Sequence, residues 1–394
     1  MTRNVKFVVC LIASLSAAST LGQEATTATK VSPPSSSSPA AYVYATTKSH
    51  IYAYSAASNG KLTAVEGSPF AASEGGPQSQ GIVATGKYLF GINANGNNID
   101  SFSIASDGAL KKVSSIDATS FNDSCGGGGG NAIFSLFLDH TGSILYDLEF
   151  NAEICANNAY QYFRIDKSTG ELTYLGVSYA SAIFEDALNF SGNNDYGYDS
   201  DPFRIEAWII GFKRSSNGEL SYLNLNPEIP NAASGSFYLP YLAAPDPTNH
   251  LAISLQPTSQ DTLDTDGPTV LATYSGADSG KLTTTSTREN MPVTEVKNVN
   301  ALNASPSGEL LAVGGSAGLQ VFHFNGSSPI THYTGLLTTD EIDEVYWDSS
   351  NHLYAISISH GKLFVFTITT TKVTEASGSP HSISGLTSLY VVSK

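Results

Sequence analysis

The chain has 394 residues, 41% hydrophobic and only 14% charged, and its 35 acidic against 19 basic side chains give a formal net charge of −16. Nucleic-acid binding needs basic stripes that displace counterions from phosphate, and this balance excludes it. Acidity of this kind mainly serves solubility, with some attraction for cations.

The N-terminus reads as a signal peptide over residues 1–22. Arg3 and Lys6 supply the positive end, Phe7 to Ala18 an apolar core, and small residues near Ala18 to Gly22 a cleavage zone. That core is about a dozen residues long, short of the roughly 20 a membrane helix needs. No later segment is apolar for longer, so no membrane span is expected in the mature chain. A secreted or periplasmic location follows as an expectation. Residues 23–40 are dominated by Thr, Ser, Ala and Pro, including Pro33, Pro34 and the run Ser35 to Ser38. Such a stretch buries too little apolar surface to offset its ordering entropy, so it is expected to be a disordered linker.

From Ala41 onward one phrase returns: two apolar strands, a tight Gly turn, and a further strand opening on Leu. The clearest turns are Ser58-Asn59-Gly60-Lys61-Leu62, Ser106-Asp107-Gly108-Ala109-Leu110, Ser168-Thr169-Gly170-Glu171-Leu172, Ser216-Asn217-Gly218-Glu219-Leu220 and Asp278-Ser279-Gly280-Lys281-Leu282. Turns such as Asp139-His140-Thr141-Gly142 and Ser305-Pro306-Ser307-Gly308 open the preceding strand pair. Helical periodicity is nearly absent. Each repeat is therefore four strands, a to d, and about 350 residues divide into seven units of roughly 50. The prediction is an all-β, seven-bladed β-propeller of four-stranded antiparallel blades over residues 41–394. The first unit lacks its strand a, and Ile383 to Val392 form one surplus strand. That strand should join the N-terminal blade beside Tyr42 to Tyr44 and close the ring, leaving no open sheet edge. A β-sandwich pair is the alternative architecture.

In this topology the a–b and c–d turns share one face and are short. The b–c and d–a loops share the other, where their length and variety suit binding. Candidate ligand-binding residues there are His50, Asn95, Glu153, Arg288 and His360, and candidate catalytic residues are Glu149, Arg204 and Glu206, because carboxylates and histidines near a channel mouth can exchange protons with a ligand. The bland reading is that these are solvated loop residues. Asp261, Asp264 and Asp266 partly follow the spacing of a calcium loop, without its distal Glu. Cys125 and Cys155 fall in the d–a and b–c loops around the third unit, and as an even pair in an exported chain they are expected to form a disulfide; two free thiols are the alternative. There is no zinc spacing, phosphate loop or nucleophile elbow, so no cofactor is expected. Trp208 and Trp347 read as core residues in strands.

The phrases Tyr42-Val43-Tyr44, Ile51-Tyr52-Ala53-Tyr54, Asn59-Gly60-Lys61-Leu62-Thr63, Gly67-Ser68-Pro69-Phe70 and Gly378-Ser379-Pro380-His381 resemble the β-propeller lactonase family, which includes propeller-type 6-phosphogluconolactonase and carboxymuconate lactonising enzymes. The resemblance spans the folded region as framework. It implies a lactone hydrolase acting at the channel mouth, with Glu149 near the position of the family's glutamate. Active members carry a Gly-Pro-Arg-His type phrase on an inner strand; Gly130 to Ser135 stands there without Arg or His, so no catalytic residue is carried over. Two functions are consistent with these features: hydrolysis of a lactone or sugar-derived substrate, or a non-catalytic module that binds a small molecule or a protein partner. A monomer is expected.

Overall fold

The computed structural model describes residues 38–72, 81–121, 132–150, 159–179, 188–201, 208–223, 227–369 and 371–394. The expected signal peptide and most of the linker lie outside them, as do Cys125, Glu153, Cys155, Arg204 and Glu206. The described strands form seven antiparallel sheets. Each sheet is one blade, and the seven innermost strands are Leu386–Ser393, Ile82–Ala84, Ala132–Leu138, Asn189–Phe190, Ser236–Pro245, Val299–Ala304 and Glu344–Trp347, for blades one to seven in turn.

Ring closure is as expected. Leu386–Ser393 pairs with Ala41–Thr47, setting Tyr42 opposite Val392, Val43 opposite Val391 and Tyr44 opposite Tyr390. Glu344 of blade seven grips this strand: its Oε2 accepts the Leu389 N–H at 2.7 Å and the Ser388 hydroxyl at 3.2 Å. Alternating apolar residues fill the space between blades. Val43, Tyr354, Val365 and Leu389, for example, pack together across the closing seam and are fully buried.

A second device joins the blades, and it explains the recurring Gly turn. An aromatic residue near the start of strand b lies over the c–d turn of the next blade and donates its hydroxyl to a turn carbonyl. Tyr42 reaches Ser106 O at 2.6 Å, Tyr44 reaches Gly108 O at 3.0 Å, Tyr146 reaches Gly218 O at 2.7 Å, Tyr196 reaches Asp278 O at 2.7 Å and Tyr198 reaches Gly280 O at 2.9 Å. At the last seam the His352 ring takes this place, with Nε2 3.2 Å from Ser58 O. Gly280 has φ +81°, and a Cβ there would sit 2.5 Å from the Tyr196 ring. Only glycine meets both demands.

These contacts also confirm the assignment of faces, since strand-b starts and c–d turns meet on one side. On that side Asp139, Asp246 and Asp348 close the a–b turns, each Oδ1 accepting the backbone N–H four residues on at 2.8, 3.0 and 2.9 Å. Burial pushes the Asp348 carboxyl up, but hydrogen bonds from the His352 side chain and backbone and from the Tyr354 hydroxyl outweigh it and hold its pKa below the ordinary value. Asp139 is held low in the same way, by the Thr141 hydroxyl, the Ile144 and Ser143 amides and the Arg214 guanidinium against burial.

The two Gly-Ser-Pro phrases break the outermost strand of blades one and seven. Phe70–Ala71 and His381–Ser382 pair back onto strand c beyond each break. In the gap the serine hydroxyl replaces a strand carbonyl: Ser68 Oγ accepts Ala53 N–H at 2.9 Å and Ser379 Oγ accepts Val365 N–H at 3.0 Å. Trp347 is buried as expected and donates its indole N–H to Asn303 O at 3.1 Å.

Candidate functional site

The innermost strands converge on a central cavity of about 230 Å³. Every blade contributes to its lining, with Tyr390, Val83, Phe137, Asn189, Ala243, Asn300 and Asp343 in blade order. About half of the lining residues are Leu, Val or Ala. The polar part comes from asparagines, from Tyr346 and Tyr390, and from two carboxylates, Asp343 and Glu344. The tyrosine rings pack together with centroids 5.1 Å apart. Burial pushes the pKa of each above the ordinary tyrosine value, so both stay neutral hydroxyls. No arginine, lysine or histidine lines the cavity among the described residues.

Charge gathers at the mouth instead, on the loop-rich face, where the segment entering blade seven meets that blade's b–c loop. Lys362 Nζ lies 2.7 Å from Asp340 Oδ2, and His360 Nδ1 is 3.8 Å from Asp340 Oδ1. The Ser357 hydroxyl is 3.0 Å from His360 Nδ1, and the Ser359 hydroxyl donates to Glu341 at 3.3 Å. Asp343 joins this cluster to the cavity. Its Oδ2 accepts the Ile358 N–H at 2.7 Å. Burial first, then the nearby Glu341 charge, raise its pKa above the usual carboxylate value, against the opposing pull of the Ile358 amide and His360. A half-buried carboxyl of raised pKa beside an exposed imidazole is a fitting place for proton exchange with a bound molecule.

The residues singled out from sequence are scattered more widely. His360 stands in the mouth cluster. His50 sits in the b–c hairpin of blade one with Nδ1 2.8 Å from Ser49 Oγ, and Asn95 is exposed in the corresponding turn of blade two. Arg288 is exposed in the loop leaving blade five, beside Glu289 at 3.4 Å. None of these three lines the cavity. Glu149 falls on Ile144–Phe150, the second strand of blade three rather than its innermost one. Asp261, Asp264 and Asp266 are exposed along one loop, and among the described residues no three His, Cys, Asp or Glu side chains converge as a metal site. The Asp266 carboxylate instead accepts the Ser236 hydroxyl. His250 and His352 serve the turns on the opposite face, with Nδ1 2.9 Å and 2.7 Å from Asp246 and Asp348. Sequence reasoning missed Asp340, Asp343, Glu344, Tyr346 and Tyr390. The signal for the first three was the acidic run Asp340-Glu341-Ile342-Asp343-Glu344 just before an inner strand.

No helix among the described residues is long and apolar enough to cross a membrane. No protein-family model matches the sequence, and no curated protein matches it either. Solved structures do match in fold. A Bacteroides fragilis protein provisionally named a 6-phosphogluconolactonase superposes with a TM-score of 0.63 at 12% identity, covering 92% of this chain and 100% of its own. The periplasmic gluconolactonase of Pseudomonas aeruginosa gives 0.60 at 13% identity, covering 90% of this chain and 99% of its own. Hydrazine synthase of Kuenenia stuttgartiensis gives 0.52 at 12% identity over 82% of this chain and 90% of its own, so the fold recurs in proteins of different names and by itself assigns no activity. The chain is a seven-bladed β-propeller with the fold of lactonase-type propellers.

Proposed function

We propose that the protein is an exported, lactonase-like propeller that takes a small, uncharged lactone or sugar-derived molecule at the mouth of the central channel and opens it by hydrolysis. The observation that carries this reading is Asp343, a cavity-lining carboxyl whose pKa is raised by burial and by Glu341. A stronger carboxylate base takes a proton from water as the water oxygen attacks the lactone carbonyl carbon. The ring C–O bond then breaks, and the leaving oxygen takes up a proton to give the hydroxy acid. His360, exposed at the rim, is the group placed to supply that proton.

Charge supports an unphosphorylated ligand. Lys362 at the mouth is already paired with Asp340, Arg214 is paired with Asp139 on the opposite face, and Asp343 and Glu344 would repel an anion. Export rests on the character of residues 1–22. The test is hydrolysis of a panel of sugar lactones, with and without a phosphate, by the mature chain and by Asp343→Asn. Turnover of an unphosphorylated lactone, reduced at least about a hundredfold in the variant, supports the assignment. Turnover unaffected by Asp343→Asn overturns it.

A second reading, a binding module without turnover, is favoured by the lack of any arginine or histidine among the described cavity residues. It predicts thermal stabilisation by a ligand of the same class with no product formed.

A further inference from the structure

Blade five carries an open depression of about 590 Å³ beside the start of its innermost strand. It shares no lining residue with the central cavity. Its floor is the edge of Ser236–Pro245, where Phe237 is half-buried, and its sides are the Pro230-Asn231-Ala232 segment and Gln260 of the b–c loop. No residue in this lining is charged. Asn231 and Gln260 are exposed, and neither side-chain amide has a hydrogen-bond partner among the described residues. The Phe237 ring likewise packs against no other aromatic ring among them.

An aromatic face flanked by two unengaged amides has a definite chemical complement. A phenyl ring offers flat apolar area with an electron-rich face, which suits the axial C–H face of a pyranose. Each amide offers a donor pair and an acceptor, matching adjacent hydroxyls that are themselves both donor and acceptor. With no charge in the wall, an ionic ligand would lose solvation without compensation. The depression is also open at its ends. Pro230, Asn231 and Ala232 also line a second depression of about 520 Å³, together with Thr285, Thr287 and the charged Glu228, Arg288 and Glu289. A ligand lying over Phe237 can therefore continue along that shared segment, which suits a chain more than a single enclosed ring.

We propose that this surface of blade five binds a neutral saccharide chain, with Phe237 as the stacking face and Asn231 and Gln260 as hydroxyl partners. The site is independent of the channel: it would deliver or retain the protein at a polysaccharide while the channel acts elsewhere on the molecule.

Calorimetric titration of the folded chain with cellohexaose, xylohexaose and maltohexaose tests this. Binding of at least one at a Kd near or below about 1 mM is expected. Phe237→Ala should weaken it at least about tenfold, and Phe237→Trp should preserve it. Should Phe237→Ala fail to fold, the double variant Asn231→Ala with Gln260→Ala, both exposed, should give the same loss with an unchanged melting temperature. Asp343→Asn in the channel should leave saccharide binding unchanged, so failure of the lactonase reading does not disturb this one. Absence of binding by all three oligosaccharides, binding indifferent to Phe237→Ala and to the double variant, or binding lost on Asp343→Asn would each overturn the proposal.

Discussion

The seam between blades four and five allows a quantitative test of what the Gly turns contribute. Gly280 (φ +81°) and Gly235 (φ +87°) share a left-handed backbone, but a Cβ on Gly235 would meet nothing within 4 Å, whereas one on Gly280 would lie 2.5 and 2.6 Å from two atoms of the Tyr196 ring and 3.0 Å from Leu223. Placing an L side chain at such a φ costs roughly 1–2 kcal/mol in either turn, and the smaller entropy lost by unfolded alanine offsets some of this equally in both. The two substitutions therefore differ only in what the Cβ strikes. At Gly280 the Tyr196 ring must leave its seat, costing roughly 1–3 kcal/mol for overpacking. Its hydroxyl bond to Asp278 O, 2.7 Å long, is lost as well, for about 1 kcal/mol. Gly280→Ala should therefore cost about 2–4 kcal/mol more than Gly235→Ala, the sum of those two losses. Equilibrium urea unfolding followed by circular dichroism measures both. If the two variants lie within about 0.5 kcal/mol of each other, the additivity limit for independent sites, the aromatic clasp is a passive contact and the reasoning fails.

Other expectations follow from named contacts. Because the folded-state pKa of Asp343 is raised, stability from this group is fully present below its unfolded pKa and is lost as pH rises through the raised value; Asp343→Asn should remove that limb from a melting-temperature profile, and any hydrolysis should rise with pH over a range above that of an ordinary carboxylate. Asp348 has the opposite sign. Its pKa is lowered, so its contribution is present above the unfolded pKa and is lost as pH falls through the folded one; Asp348→Asn should flatten acid denaturation and cost roughly 2–4 kcal/mol at neutral pH, read by urea unfolding at two pH values. Ser379→Ala should cost about 1–2 kcal/mol by leaving Val365 N–H without its acceptor, while Ser379→Thr should recover part of it, by the same assay. Removing Leu386–Lys394 should abolish cooperative unfolding, since blade one would lose its innermost strand and Glu344 its buried partners.

The framework was legible because its determinants are local. A Gly turn followed by Leu, with alternating apolar strands on either side, fixes register within a dozen residues, and the surplus strand at Ile383 to Val392 supplied the closing partner for Tyr42 to Tyr44. The reason for the Gly was not legible, because the ring that demands it lies in another blade; Tyr196 and Asp278 are 82 positions apart. The cavity was harder still. Its wall is assembled from seven innermost strands, some as short as Asn189–Phe190 and Ile82–Ala84, which carry too few residues to show alternation. The run Asp340 to Glu344 therefore carries no pattern that marks it as facing inward, although Glu344 is almost fully buried against the closing strand. His360 was reached by reasoning about faces. His50, Asn95 and Arg288 share that face but stand on other blades, because topology gives the side of the disc and not the distance from its axis.

The closing strand has a consequence for how the molecule is made. Leu386–Ser393 is the last strand in chain order, yet it belongs to the same sheet as Ala41–Thr47, the first. During synthesis Ala41–Thr47 must wait, with one backbone edge unpaired, until the far-off strand Leu386–Ser393 has emerged. A nonsense or frameshift change upstream of Leu386 would leave that edge exposed and the product prone to aggregation.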